Sequence, residues 1–499
     1  MSDSEPELRA AQASASDATR VPTPPPTTDT DALESLAVLF QDSTEEREIP
    51  RKQVVSWAFW DWATQPFNSV LLTFVWVPSF LVSPFFLDPA VAASGVVNGT
   101  AIDCDTPANA ATEYCSALGG LDANLGWGIM VAGILIALLA PVLGQRADAT
   151  GRRKRTLAVF TSLLIAAQLA MAIVPGVPAF FWFGVAMIAF GSVVSEIAGA
   201  SYNALIVSVA TPRTVGKVSG LGWGFGYIGG IIALVIVVAL ILTGVLDGTQ
   251  AITFQLVAAG ATVWTLVFAI PIFFNVPEPP ASAETKRVGF FAGYVELFRS
   301  IARLWRNHRP TFWFLLASAV YRDGLAAVFT FGSVIAARVF GFGFQDLVIF
   351  GVALNLVAGI STILAGRLDD RFGPKGVILT AIGGIVACCL AVFVFASSGQ
   401  LLFWIAGLVL ASLVGPAQAA SRSFLARVTP QGQEGEIFGL YATTGRAASW
   451  MAPLLWGAFI AIAGNQTVYG ILGIALVLAA GFVLLFFVKA PAPREEISR

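Results

Sequence analysis

The sequence predicts an all-α polytopic membrane protein, with twelve transmembrane helices in two six-helix pseudo-symmetric bundles. Three observations lead there. The 499 residues are 56% hydrophobic and only 12% charged, with a mean hydropathy of +0.77, far more apolar than a soluble core requires. Apolar runs close to the ~20 residues needed to cross the hydrocarbon recur along the chain. One polar motif between such runs occurs twice, as Gly144-Gln145-Arg146-Ala147-Asp148-Ala149-Thr150-Gly151-Arg152-Arg153-Lys154 and as Gly366-Arg367-Leu368-Asp369-Asp370-Arg371-Phe372-Gly373-Pro374-Lys375. A single copy is an ordinary turn pattern. Two copies in matching membrane contexts mark two related halves.

Composition also excludes classes. The single histidine, His308, cannot support a histidine-rich metal site. No phosphate loop of the form G-x-x-x-x-G-K-[ST] occurs, which argues against an ATP-driven pump. No nucleophile, base and orienter fall at recognisable spacing, so an enzyme is not expected, nor a cofactor. The formal net charge of −2 hides bases crowded into alternate loops and gives no reason to expect nucleic acid.

Residues 1–50 are rich in Ser, Thr, Pro, Asp and Glu and lack a long apolar run, so a disordered cytoplasmic tail without a signal peptide is expected. An amino-terminal bundle over 51–275 follows, with spanning segments near 54–83, 125–145, 156–175, 178–208, 219–244 and 251–275. A linker occupies 276–310. The carboxyl-terminal bundle, 311–489, has segments near 311–337, 346–366, 376–397, 401–427, 438–463 and 467–488, and a cytoplasmic tail covers 490–499.

Bases cluster after the even-numbered segments, while Arg338 is the exception after an odd one, so both termini are expected in the cytoplasm of a cell with this protein in its plasma (inner) membrane. The loop over roughly 86–124 then faces outside, where Cys104 and Cys115 can pair in an oxidising space. Within the linker, Phe291, Tyr294, Phe298, Ile301 and Trp305 recur at helical spacing with Arg299, Arg303 and Arg306 between them, an amphipathic helix for the inner membrane surface. Thr211-Pro212 is echoed by Thr429-Pro430, and Val218-Ser219-Gly220-Leu221 by Ile437-Phe438-Gly439-Leu440, which sets Tyr227 opposite Arg446.

Six-plus-six segments with these motifs after the second and eighth resemble the major facilitator superfamily. Trp57-Ala58-Phe59-Trp60-Asp61-Trp62-Ala63, Tyr202-Asn203-Ala204-Leu205, Ser219-Gly220-Leu221-Gly222-Trp223-Gly224 and the run from Ser421-Arg422-Ser423 to Phe438-Gly439-Leu440-Tyr441 are similar to the bacterial "unknown major facilitator" family, related to the yeast vacuolar amino-acid effluxer of autophagy. The resemblance covers roughly residues 53–489. It implies the major facilitator fold and transport, with amino-acid efflux as the family's best-known activity; the partners expected are the lipid bilayer and a small-molecule substrate, and the chain is expected to be monomeric. Glu196 stands where drug-exporting facilitators carry an arginine motif, and the fifth segment lacks their Gly-Pro pair, which argues against drug antiport.

Ionisable groups inside spanning segments are costly unless paired or hydrated, so each is a functional candidate. They are Asp61 and Glu196 in the amino half and Arg322, Asp323, Arg422 and Arg446 in the carboxyl half. This segregation suits a zwitterion, with a guanidinium for its carboxylate and Asp61 or Glu196 for its ammonium. It equally suits charges that neutralise one another across the halves. Proton coupling through Asp61 or Glu196 is a further option, since a buried carboxyl can alternate between charged and neutral forms. Tyr202 and Asn203 would add hydrogen bonds, and Trp57, Trp60 and Trp62 could stack on substrate, with anchoring at the interface the preferred role. In the repeated motifs, Gly144, Asp148, Gly151 and Arg152, and Gly366, Asp370, Gly373 and Lys375, would form gating loops that latch the cytoplasmic side, or charged turns that only set topology. The function expected is secondary export of amino acids or similar zwitterions; the alternative is a proton-coupled exporter of other small organic molecules, and a membrane-embedded enzyme or receptor ranks below both.

Overall fold

The first helix of the chain does not keep one winding from end to end. In the computed structural model, which describes residues 49–97, 100–102, 104, 109, 111–150, 152–210, 215–278, 290–428 and 434–489, α1 starts as Arg51–Gln65 and continues as wider π-helical turns over Pro66–Phe74 and Val77–Leu81. Pro66 and Pro78 open these turns because a proline has no N–H to give to the preceding turn. The Thr73 hydroxyl donates to the Asn68 carbonyl, 2.7 Å away, inside the wide stretch.

There follow α2 (Glu113–Thr150), α3 (Arg153–Met171), α4 (Phe181–Ala204), α5 (Val215–Leu242) and α6 (Ala251–Asn275). A linker helix, Phe290–Asn307, leads to α7 (Arg309–Arg338), α8 (Phe344–Phe372), α9 (Pro374–Val394) and α10 (Gln400–Val428). α11 is broken into Glu434–Ala447 and Met451–Ile462, and α12 is Gly470–Phe486. Among the described residues, ten helices are uninterrupted and long and apolar enough to cross a membrane. The other two expected spans are α1 and α11, present but interrupted.

Two sequence expectations need correction. α2 begins at Glu113, not near 125, so much of the expected external loop is helix. The repeated motif is also mostly helix. α2 continues to Thr150 and α8 to Phe372, leaving short turns before α3 and α9. Gln, Arg, Ala and Leu in these stretches extend a helix readily. The second turn needs only Gly373, whose φ of 72° suits a residue without Cβ, followed by Pro374 at the first helical position.

The halves meet through glycines. Gly119, Gly126 and Gly133 set α2 so close to α11 that a side chain there would strike Asn465, Trp456 and Ser449–Trp450. Gly351 of α8 lies against the Phe74 ring of α1. Phe254 of α6 packs edge-on to Phe344 of α8, centroids 5.3 Å apart. The contacts at Gly119, Gly351 and Phe254 lie at one end of the molecule, where a disulfide joins Cys104 to Cys115 with a Cα–Cα distance of 5.4 Å. Two short antiparallel strands, Val96–Val97 and Thr100–Ala101, complete that end. The linker helix packs on α2 and α7 at the other end. It buries Leu304 and leaves Val295, Phe298 and Trp305 exposed.

Candidate functional site

Gly222, Gly226 and Gly230 form one stripe on α5, spaced to admit a neighbouring helix closely. That neighbour is α1. Cβ atoms at these positions would meet Trp57 and Tyr202, then Asp61, then Ser69. The Asp61 carboxylate therefore sits in a slot that only glycine leaves open. Gln65 Nε2 donates to Asp61 Oδ1 at 3.5 Å, and Ser69 Oγ donates to Gln65 Oε1 at 3.4 Å, so a polar ladder climbs α1 from Asp61. Beside it, Tyr202 is sandwiched between Trp57 and Trp60, with centroid separations of 4.5 and 4.6 Å. Both indoles are buried and donate inward, Trp57 to the Tyr202 carbonyl and Trp60 to Thr161 Oγ1. Trp57 and Trp60 are thus interior clamps and not interfacial anchors. Trp62 stacks on Trp264 of α6 at 5.5 Å. The buried Tyr202 hydroxyl has no hydrogen-bond partner in the structure.

The carboxyl half repeats the slot with the opposite charge. Gly445 of α11 makes room for Arg322 of α7, whose Nη1 would otherwise be struck. Arg322 Nη1 donates to the Tyr441 carbonyl at 3.0 Å, and its guanidinium lies 4.1 Å from the Tyr441 ring centroid. The adjacent Asp323 points elsewhere. It is buried, and its Oδ2 accepts from the Ala452 N–H at 2.7 Å, the first turn of the second α11 segment. Its oxygen there satisfies an N–H of the half-helix start, so Asp323 serves the break in α11.

Across the two halves, Arg446 Nε of α11 donates to Glu196 Oε2 of α4 at 3.0 Å. The pair is accessible, with side-chain exposures of 21% and 49%. Arg422 and Asn203 are exposed as well, and Arg422 interacts electrostatically with Tyr441, Arg322 and Tyr227. Accessible charged groups on α4, α10 and α11 place an open polar cleft between the halves. Its amino-half wall offers a carboxylate and its carboxyl-half wall offers guanidiniums.

Sequence reasoning missed a second bridge between the halves. Asp122 of α2, wholly buried, has Oδ2 3.5 Å from Arg338 Nε at the end of α7. Thr467 also donates to Asp122, and Trp456 Nε1 donates to its carbonyl at 3.1 Å. The missed signal was Arg338 itself, the base that broke the loop pattern.

The repeated motifs tie helices within each half. Lys375 Nζ donates to the Phe486 and Val488 carbonyls at 2.9 and 2.5 Å, closing the end of α12. At the corresponding amino-half junction the Lys154 N–H donates to Glu278 Oε1 at 2.9 Å. Arg153 Nη1 reaches the Ala204 carbonyl at the end of α4, 3.2 Å away. Arg152 is exposed. Gly151 and the side-chain surroundings of Gly144, Asp148, Gly366 and Asp370 lie outside the described residues.

Residues 209–498 match the family described as vacuole effluxer Atg22-like. The chain belongs to this family. An uncharacterized MFS-type transporter of Bacillus subtilis is 28% identical over 447 residues, covering 88% of this chain and 95% of the relative. Autophagy-related protein 22 of Cryptococcus neoformans is 23% identical over 302 residues, and the match spans about half of that relative, 54%. Among solved structures, a D-xylose–proton symporter superposes with a TM-score of 0.61 at 14% identity over 88% of this chain and 98% of its own. A human organic anion transporter gives 0.55 at 17% identity, covering 87% and 99%. This Atg22-like chain is therefore a multi-span membrane transporter with the major facilitator fold, not an enzyme. Arg322, Arg422 and Arg446 fall inside the matched family region, whereas Asp61 and Glu196 precede it.

Proposed function

We propose that this transporter exports amino acids or similar small zwitterions by alternating access about the cleft between its halves. The Glu196–Arg446 bridge carries the reading, because it joins opposite charges from opposite halves at 3.0 Å in an accessible setting. A zwitterion brings the same two charges. Its carboxylate can take Arg446, backed by the positive charge of Arg322 and Arg422, while its ammonium takes Glu196. Substrate binding would then exchange one bond between the halves for two bonds to the substrate, which links occupancy to rocking. By the positive-inside rule the basic-loop end and both termini face the cytoplasm of the plasma membrane. The contacts at the disulfide end then close the outside, and the cleft opens inward. We take the protein to act as a monomer without a cofactor.

A second reading rests on the Asp61–Gln65–Ser69 ladder. It supports proton-coupled export of other small organic molecules, with Asp61 as the group that changes protonation. Counterflow of a labelled amino-acid panel in proteoliposomes tests the first reading, with Arg446→Ala and Glu196→Gln as controls. Movement of particular amino acids, lost in both variants, is the expected result; no movement by folded protein would sink the substrate assignment. For the second, Asp61→Asn is expected to flatten the pH dependence of transport. An unchanged profile removes Asp61 from coupling.

A further inference from the structure

The linker helix, Phe290–Asn307, runs into α7 with only His308 between them. At about 100° per residue, Val295, Phe298, Ala302 and Trp305 form one stripe along it, and all four are exposed. Leu304, nine residues from Val295 and so on the opposite face, is buried. The stripe continues onto α7. Trp305 meets Phe312 and Trp313 edge-on, with centroids 4.9 and 5.7 Å apart, and Trp313 and Leu316 are exposed. Trp313 lies nine residues before Arg322 and so faces away from the cleft. Exposed tryptophans on the outer face of an apolar span mark the level where hydrocarbon meets headgroups.

Arginines border this rim. Arg299, Arg303 and Arg306 form a second stripe beside the apolar one, and Arg309 opens α7; all four are exposed. Over residues 290–310 the sequence sets a single carboxylate, Glu296, against them. The Arg309 guanidinium lies 5.7 Å from the Trp305 ring centroid, which holds it at the aromatic level. Neither Arg306 nor Arg309 forms an ion pair among the described residues. Two such guanidiniums beside an outward-facing tryptophan pair suit a phosphate, which accepts several N–H bonds at once while its acyl chains run along Trp305, Trp313 and Leu316. A phospholipid with its own cation would bring that cation against the arginines, so the charge favours an anionic headgroup. We propose that this rim is a lipid site, which binds the phosphate of an anionic phospholipid through Arg306 and Arg309. The site does not depend on what the central cleft carries.

Thermal unfolding of the purified full-length chain in detergent tests this, with dioleoylphosphatidylglycerol, dioleoylphosphatidylcholine and inorganic phosphate as probes. Phosphatidylglycerol is expected to reach its half-maximal shift at a concentration at least about tenfold below phosphatidylcholine, since each surface arginine is worth about fivefold in attraction to anionic lipid. Inorganic phosphate should give no shift at the same concentrations, because it lacks the chains that cover the tryptophans. Arg306→Gln/Arg309→Gln should cut the lipid preference at least about tenfold. Each single change, expected to cost about fivefold, serves if the double variant does not fold. Arg51→Gln/Lys52→Gln neutralises two exposed bases at the start of α1 and should leave the preference within about twofold of the wild-type value. Equal response to the two lipids, a preference that survives the Arg306 and Arg309 changes, or phosphate acting as strongly as phosphatidylglycerol overturns the proposal. So does an equal loss in the Arg51 and Lys52 control, which would assign the effect to basic charge at this end in general.

Discussion

The two halves place a glycine at the same point of their fifth helices and use it for opposite charges. Gly226 of α5 admits Asp61 of α1, and Gly445 of α11 admits Arg322 of α7. The sequence echo aligns these two glycines, and it sets Gly222 and Gly230 against Tyr441 and Ser449. The amino half keeps all of the stripe, so α5 lies flush on α1 and stays unbroken. The carboxyl half keeps glycine at one of the three positions, and α11 breaks beside Ser449. Asp323 then caps the restarted helix. A duplicated backbone plan thus survives while the charge seated against the shared glycine inverts.

Leucine at either glycine breaks the comparison most directly. Gly226→Leu and Gly445→Leu should each lower transport at least about tenfold, since overpacked sites displace their neighbours. Initial rates in proteoliposomes check this, and loss at only one position would mean that the two slots are not equivalent. The next largest effect concerns the bridge across the cleft. Glu196→Arg and Arg446→Glu should each cost about tenfold in rate, as single changes leave like charges facing one another. The double exchange should recover thermal stability but not transport, if the charges grip substrate. Recovery of transport would show a lock instead.

Stability sharpens the contrast between the two aspartates. Asp323→Asn should cost about 1–3 kcal/mol because it weakens a buried cap. Asp61→Asn should cost under about 1 kcal/mol, as a neutral amide can keep the contact with Gln65. Thermal unfolding in detergent compares the two, and equal losses would contradict separate roles. The smallest effect belongs to Lys375→Met, about 0.5 kcal/mol, for a base near water at a helix end.

Apolar length reveals all twelve segments because crossing hydrocarbon is a demand on composition. The interruptions in α1 and α11 are less visible. Pro66 and Pro78 hint at the first, but the second depends on Asp323, which is remote in sequence and appears only once the helices pack. Likewise Glu196 and Arg446 stand out singly as charges in apolar runs, while their pairing requires the two halves to meet. Asp122 escaped notice because Glu113–Leu125 is polar enough to resemble a loop, although neighbouring helices bury it. The aromatic clamp around Tyr202 was misread for a related reason: tryptophans near a helix end suit an interface and an interior equally, and only the partner decides.

The winding of α1 has a mechanical consequence. Asp61 stands before the wide turns and Phe74 at the end of the first stretch of them, where Phe74 lies against Gly351 in the other half. If one wide turn tightened to α geometry, a residue would be expelled and everything beyond it would rotate by about 100° and advance by about 1.5 Å. Spin labels at Val55 and Leu72 would register that change as an altered separation, and a constant separation during turnover would exclude it. The helix would then work as a screw thread, converting a small axial slip near a charged group into a turn of the seal at the opposite end.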